Sequence, residues 1–305
     1  SIPFFNKHCI ILYYIYIIEV ILSILFMILL YMILLILILL VFYVSFISNK
    51  NKIPNIIHFI FGLKPQKEEF LFIYYLSVLS AYIVNKPNKI YFYYHYEPYG
   101  KWWDRLKDKI PVIIFEKVEL PTYIGEKEIK HFAHKADWIR MNKLYERGGI
   151  YMDIDTISVR SYRNMLNNNT VLGYEIKKDN LICNAVMMTV PYSPFFKLWL
   201  KDYEKEFKPD GWGEASIYLP GKINNKHPTL ANVFSENTFF RPYATEGENI
   251  FEKNINIHPE LITLHLWESY TIKYLNDIKD FKWIKDNMET LYSKIVLLNI
   301  KEYDI

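Results

Sequence analysis

Cysteine is nearly absent from this chain. Cys9 and Cys183 are the two in 305 residues, which excludes a disulfide framework and a cysteine-based metal cluster. A surplus of either charge is missing as well. Lys and Arg number 36 against 33 Asp and Glu, so nothing in the balance argues for nucleic acid as a partner. No stretch repeats another at a fixed period, which removes solenoids and propellers. Between residues 10 and 48 there is neither glycine nor proline, and Glu19 is the single charge.

That last absence defines the first segment. A spanning helix needs about 20 apolar residues. Residues 20–47 exceed this and can cross a bilayer with some tilt. The apolar core of a secretory signal runs to about 7–15 residues, which favours an uncleaved anchor here. No turn residue divides the run, so one long helix is expected. Lys7 flanks one side and Lys50 and Lys52 the other, so the positive-inside rule sets no orientation. The expected plan is a short flank at 1–9, a transmembrane anchor at 10–48 and a globular domain at 49–305.

Beyond the anchor the pattern alternates. Apolar strands at 53–61, 89–96, 111–115 and 150–153 are separated by helical spacing at 68–84, 102–107 and 129–146. Gly148-Gly149 stops the last of these helices. Such alternation predicts an α/β fold with a mostly parallel central sheet flanked by helices. Further strands are expected at 171–175, 183–190 and 261–267. Residues 194–207 read as a helix whose stripe Phe195, Phe196, Trp199 and Tyr203 belongs to the core. Gly211-Trp-Gly213 and Pro220-Gly221 mark loops, and 283–305 reads as helix or tail.

The stretch Arg147-Gly-Gly-Ile-Tyr-Met-Asp-Ile-Asp155-Thr156 organises the rest. Alternate residues of a strand share a face, so Asp153 and Asp155 point the same way. Two close carboxylates repel, and a cation between them relieves this. Oxygen ligands favour Mg²⁺ or Mn²⁺, which complete their shell with substrate phosphates and water. In open α/β sheets ligands bind beyond the carboxyl ends of the strands, where this pair falls. Three other groups are candidates to converge there. Asp137, Arg140 and Leu144 share one helix face by spacing. The two charged ones suit sugar hydroxyls or a phosphate, and equally a plain ion pair. His265 suits a third metal ligand or an ordinary hydrogen bond. Asn184, polar among apolar neighbours, suits a ligand or a backbone group.

Five segments, in order, resemble glycosyltransferase family 32, whose sugar-binding region contains an Asp-x-Asp motif. Ile53-Pro-Asn-Ile-Ile-His58 resembles its opening strand. Ala136-Asp137-Trp-Ile-Arg140 with Leu144-Tyr145 resembles the helix before the motif, and Gly148-Gly-Ile-Tyr-Met-Asp-Ile-Asp-Thr156 its core. Asn184-Ala-Val-Met-Met188 resembles the strand that follows, and His265-Leu-Trp-Glu-Ser-Tyr270 the closing segment. The resemblance implies a GT-A fold and a retaining hexosyltransferase. It would move a sugar from a UDP- or GDP-sugar to a glycan or glycolipid.

By the same resemblance Asp153, Asp155 and His265 hold Mn²⁺ or Mg²⁺. Asp137, Arg140, Tyr151, Asp153, Asn184 and Tyr270 meet the donor, with Ile56 and His58 beside its base and Tyr270 near the departing diphosphate. The anchor suits a single-pass membrane protein of the ER, Golgi or another endomembrane, its catalytic domain lumenal. The family's Trp in the first strand is Phe61 or absent here, its Ser is Ala136 and its final Trp is Tyr270. These departures leave room for an inactive sugar-binding relative. A phosphatase with an Asp-x-Asp-x-Thr/Val loop is the other rival, against which Ile157 stands where Thr or Val belongs.

Overall fold

The computed structural model describes residues 7–48 and 52–302. Residues 1–6 of the expected flank, 49–51 at the expected boundary and 303–305 lie outside the described residues. The chain divides into two compact units, Ser1–Lys50 and Asn51–Ile305. In the first, a helix α1 runs Lys7–Ser48, about 63 Å at 1.5 Å per residue. Its stretch Ile11–Val41 is long and apolar enough to cross a membrane, and none of it is buried within the structure. With no polar face it presents apolar side chains all round.

The second unit opens with β1 (Ile56–Ile60), α2 (Phe72–Asn85), β2 (Lys89–Tyr94), α3 (Lys101–Lys109) and β3 (Ile113–Lys117). The three strands pair in parallel, as crossover helices require. A small hairpin, β4 (Tyr123–Ile124) and β5 (Lys127–Glu128), leads into α4 (Phe132–Arg147). Gly148 closes α4 at φ 62°, its N–H donating to Leu144 O. Gly149 follows at φ 104°, where a Cβ would stand 2.5 Å from Ile56 O. A side chain fits neither that dihedral nor that space. The glycine pair therefore turns the chain directly into β6 (Gly149–Met152), parallel to β1.

Next come β7 (Thr156–Ser158), β8 (Thr170–Ile176), β9 (Leu181–Thr189) and α5 (Pro194–Glu206), which Ser193 caps through Phe196 N. A π-helical turn, Glu214–Tyr218, runs into α6 (Leu219–Lys226). The chain ends with β10 (Asn232–Phe234), α7 (Glu236–Phe239), α8 (Gly247–Phe251), β11 (Thr263–His265), α9 (Glu268–Leu275), α10 (Phe281–Asp286) and α11 (Leu291–Asn299). Seven strands form one sheet in the order β10-β8-β9-β6-β1-β2-β3. Among them β9 alone runs against its neighbours. The carboxyl ends of the other six meet at one edge, the mostly parallel arrangement expected of a GT-A-like fold. One face packs against α2 and α11, the other against α4 and α5. The stripe Phe195, Phe196, Trp199 and Tyr203 is buried in the second layer.

Three local expectations change. Pro220 and Gly221 lie inside α6 instead of a loop. Proline is tolerated in a helix's first turn, and a Cβ on Gly221 would stand 2.0 Å from Asn180 O. The strand β6 stops at Met152, so Asp153 and Asp155 sit in the turn after it. The late strand shortens to three residues because it pairs only with the equally short β7.

Candidate active site

The ladder between β7 and β11 builds the centre. His265 stands opposite Thr156 in antiparallel register, and Leu266 N donates to Asp155 O at 2.8 Å. The imidazole is thereby carried to the residue just before the strand. His265 Nε2 lies 3.3 Å from Asp155 Oδ2. Asp153 is fixed by its N–H to Ala185 O at 2.8 Å and by Thr156 Oγ1 donating to its carbonyl at 2.7 Å. One ligand atom from each of Asp153, Asp155 and His265 lies within 4.8 Å of the other two.

Neighbouring elements bring one guanidinium and several hydrogen-bonding groups around this triangle. Arg140 Nη1 is 3.0 Å from Asp153 Oδ1 and donates to Asn184 O at 3.1 Å. Its guanidinium lies over the Tyr151 ring at 4.5 Å, and Tyr151 Oη donates to Asp153 Oδ1 at 2.6 Å. Asn184 Nδ2 donates to Asp137 Oδ1 at 2.8 Å, which is also 3.5 Å from Arg140 Nε. The i, i+3 spacing thus delivers both outcomes left open by the sequence: an ion pair within α4, and a guanidinium brought to the Asp pair.

Burial raises the Asp153 carboxyl, and Arg140 only partly offsets this. Burial pushes Asp155 the same way, but His265 and the Glu268 N–H outweigh it and hold the carboxyl below its ordinary value. For His265, burial opposes the charged form while Asp155 raises the imidazole overall. The residues fit a divalent ion: two carboxylates and an imidazole, each offering one ligand atom, make a usable donor set. Asp153 already receives Arg140 and Tyr151 on Oδ1, which leaves Oδ2 for a ligand.

Two expected donor residues are not brought to this cluster. His58 is fully buried in mid-strand, Nδ1 against Tyr93 Oη at 2.9 Å and Nε2 against Gly148 O at 2.8 Å. It braces the glycine turn, and burial pushes its imidazole down to about 4. Ile56 begins β1, level with the start of β6, so it lies at the opposite edge of the sheet, four residues or about 13 Å before the strand's carboxyl end. Parallel pairing forces this, since the loop after a strand, not its first residue, meets the site. Tyr270 lies in the first turn of α9 and is 66% exposed, open to a ligand.

Sequence reasoning passed over several groups here. Glu268 N donates to Asp155 Oδ2 at 2.7 Å, and its carboxylate accepts Tyr74 Oη at 2.5 Å. Burial, then Asp155, raise the Glu268 carboxyl. Glu175, at the end of β8, accepts Tyr243 Oη at 3.0 Å. The available signal was a lone carboxylate ending an apolar strand whose carboxyl end reaches the same edge.

The family model described as "Glycosyltransferase sugar-binding region containing DXD motif" matches residues 55–172. "Glucan organizing enzyme 1" of Cryptococcus neoformans var. grubii serotype A is 33% identical over 262 residues, 80% of this chain and 70% of that protein. Among solved structures, mouse xyloside xylosyltransferase 1 is similar with a TM-score of 0.46 and 9% identity, covering 68% of this chain and 96% of that one. The PaToxG glycosyltransferase is similar with a TM-score of 0.43 and 16% identity, covering 60% of this chain and 76% of that one. On the family match and the fungal relative, with Asp153 and Asp155 standing at the motif, the chain belongs to the DXD-containing glycosyltransferases of the family 32 type.

Proposed function

We propose that this glycosyltransferase is metal-dependent and retaining, and that it moves a hexose from a UDP- or GDP-sugar to a glycan or glycolipid while anchored in a membrane by α1. The convergence of Asp153, Asp155 and His265 at the carboxyl edge of the sheet carries the reading. Breaking the bond between the sugar and the diphosphate builds negative charge on the leaving group. A divalent ion held by Asp153, Asp155 and His265, when bound, neutralises that charge.

The chain's own residues prepare the site. Arg140 and Tyr151 fix one oxygen of Asp153, and the Glu268 N–H fixes Asp155. Such preorganisation removes reorganisation from the reaction step. Asp137 and Asn184, locked to each other at 2.8 Å, border Arg140 and offer polar groups for the donor sugar. We assign Tyr270, exposed in the first turn of α9, to the diphosphate. The name of the fungal relative refers to glucan, which supports a glycan as acceptor. The helix Ile11–Val41 supports a single-pass anchor, and an endomembrane setting with a lumenal catalytic unit is the arrangement we propose. The test is hydrolysis of UDP-glucose, UDP-galactose, UDP-N-acetylglucosamine and GDP-mannose by the purified full chain, with Mn²⁺ and with EDTA. Turnover of at least one, lost in EDTA, is expected; equal turnover with and without metal overturns the metal reading.

A further inference from the structure

The metal-side chemistry leaves one buried acid without a task. Glu175 is the sixth residue of β8, and the ladder to β9 is irregular between Tyr174 and Ile176. A bulge of this kind re-aims a side chain and is common beside active sites. Because β8 runs parallel to β6 through the reversed β9, Glu175 ends up at the edge that carries Asp153. The residue is buried. Its Oε1 accepts Tyr243 Oη at 3.0 Å, the one hydrogen bond to this side chain among the described residues.

That partner is itself held rigidly. Tyr243 N donates to Glu246 Oε2 at 2.6 Å, and the Tyr243 ring meets Trp267 at 5.2 Å. Trp267 in turn packs on the candidate metal ligand His265, ring centroids 4.1 Å apart. Burial, then Glu175, push the Tyr243 hydroxyl up to about 12, so it stays a donor at working pH. Tyr243 engages one oxygen of the Glu175 carboxylate, and the other is not sealed from solvent, so a ligand at this edge can meet it.

We propose that Glu175 is a catalytic residue which faces the anomeric carbon of the donor sugar and stabilises the positive charge that develops there. The proposal rests on the nucleotide-sugar reading above. In the step, the bond from the anomeric carbon to the diphosphate oxygen breaks and its electron pair leaves with the diphosphate. Positive charge spreads over the anomeric carbon and ring oxygen, opposite Glu175. The acceptor oxygen, or water in hydrolysis, then bonds to that carbon and gives its proton to the departing diphosphate. Glu175 forms no bond and transfers no proton in the cycle.

The substitution Glu175→Gln separates charge from architecture, since an amide oxygen still accepts from Tyr243. The full chain is assayed with Mn²⁺ on the four nucleotide-sugars named above. The expected result is a fall in kcat of about 100-fold, with donor KM, the Mn²⁺ half-saturation and Tm close to those of the unchanged chain. A kcat within about threefold of the unchanged chain overturns the role of Glu175 alone. A loss confined to donor KM or Mn²⁺ half-saturation also overturns it, since it assigns the residue to binding. An unchanged chain that turns over none of the four sinks the transferase reading and this role with it.

Discussion

Arg140 Nη1 rests 3.0 Å from Asp153 Oδ1, and both side chains are largely withdrawn from solvent. The guanidinium is shared with Asp137, so one cation serves two acids. Removing it strands buried negative charge. Arg140→Ala is expected to destabilise the globular unit by about 3–5 kcal/mol, read from urea unfolding of the full chain. Arg140→Lys keeps the charge but not the planar fork that also reaches Asn184 O, and should unfold between the two. An Arg140→Ala chain as stable as the unchanged one would show that the pair contributes nothing.

The Asp155 carboxylate is held by the His265 imidazole and the Glu268 N–H. Asp155→Ala is expected to lower Mn²⁺-dependent donor turnover about 100-fold or more in a chain whose circular dichroism still reports the folded unit, with some loss of Tm because two buried groups lose their partner. Turnover that survives intact would remove Asp155 from the metal site.

For α1 the expected outcome concerns partitioning. The full chain should stay with membranes through alkaline carbonate extraction, because Ile11–Val41 exceeds the length a bilayer requires. A chain lacking residues 7–48 should be extracted. Release of the full chain by carbonate would reduce α1 to a peripheral contact.

How far the sequence disclosed this arrangement depended on the range of the signal. Local periodicity exposed α4, the glycine turn and β6, because those residues neighbour one another in the chain. Residue type exposed Asp153 and Asp155, because two acids one residue apart demand an explanation. Glu268 and Glu175 escaped since each is a single carboxylate, given meaning by a ladder or bulge that forms across more than 100 residues in one case and beside β9 in the other. Ile56 and His58 were assigned to the donor from their motif, yet the parallel register carries the site to the other end of their strand. Pro220-Gly221 read as a loop because breakers lose their usual meaning in a helix's first turn and at a close backbone contact.

Gly149 tests the turn directly. A methyl group there meets Ile56 O at 2.5 Å and His58 Nε2 at 2.9 Å, on a backbone with φ 104°. Gly149→Ala should cost about 1–3 kcal/mol from the dihedral alone, and more if the backbone oxygen cannot yield. Urea midpoints compare the two chains, and an unchanged midpoint would contradict the tight approach of β1 to the turn.

His58 gives the unit a predictable acid response. Its ring lies beside and nearly parallel to those of Tyr91 and Tyr93, at centroid distances of 5.5 and 5.9 Å, the two tyrosines being 6.0 Å from each other, and both nitrogens are engaged. Burial pushes its pKa down to about 4 from 6.5. Between those values the unfolded chain binds a proton that the folded one refuses, so stability rises with pH across that window. The contribution is complete above about pH 6.5 and lost by about pH 4, some 3 kcal/mol in all. His58→Phe keeps the stack but cannot be protonated. It should lower stability at pH 7.5, where Tyr93 and Gly148 lose a partner, yet show a shallower decline between pH 6.5 and 4. Urea titrations of both full chains at half-unit pH steps measure the two slopes. Equal slopes would mean that the imidazole is charged in the folded state, against the closed packing that surrounds it.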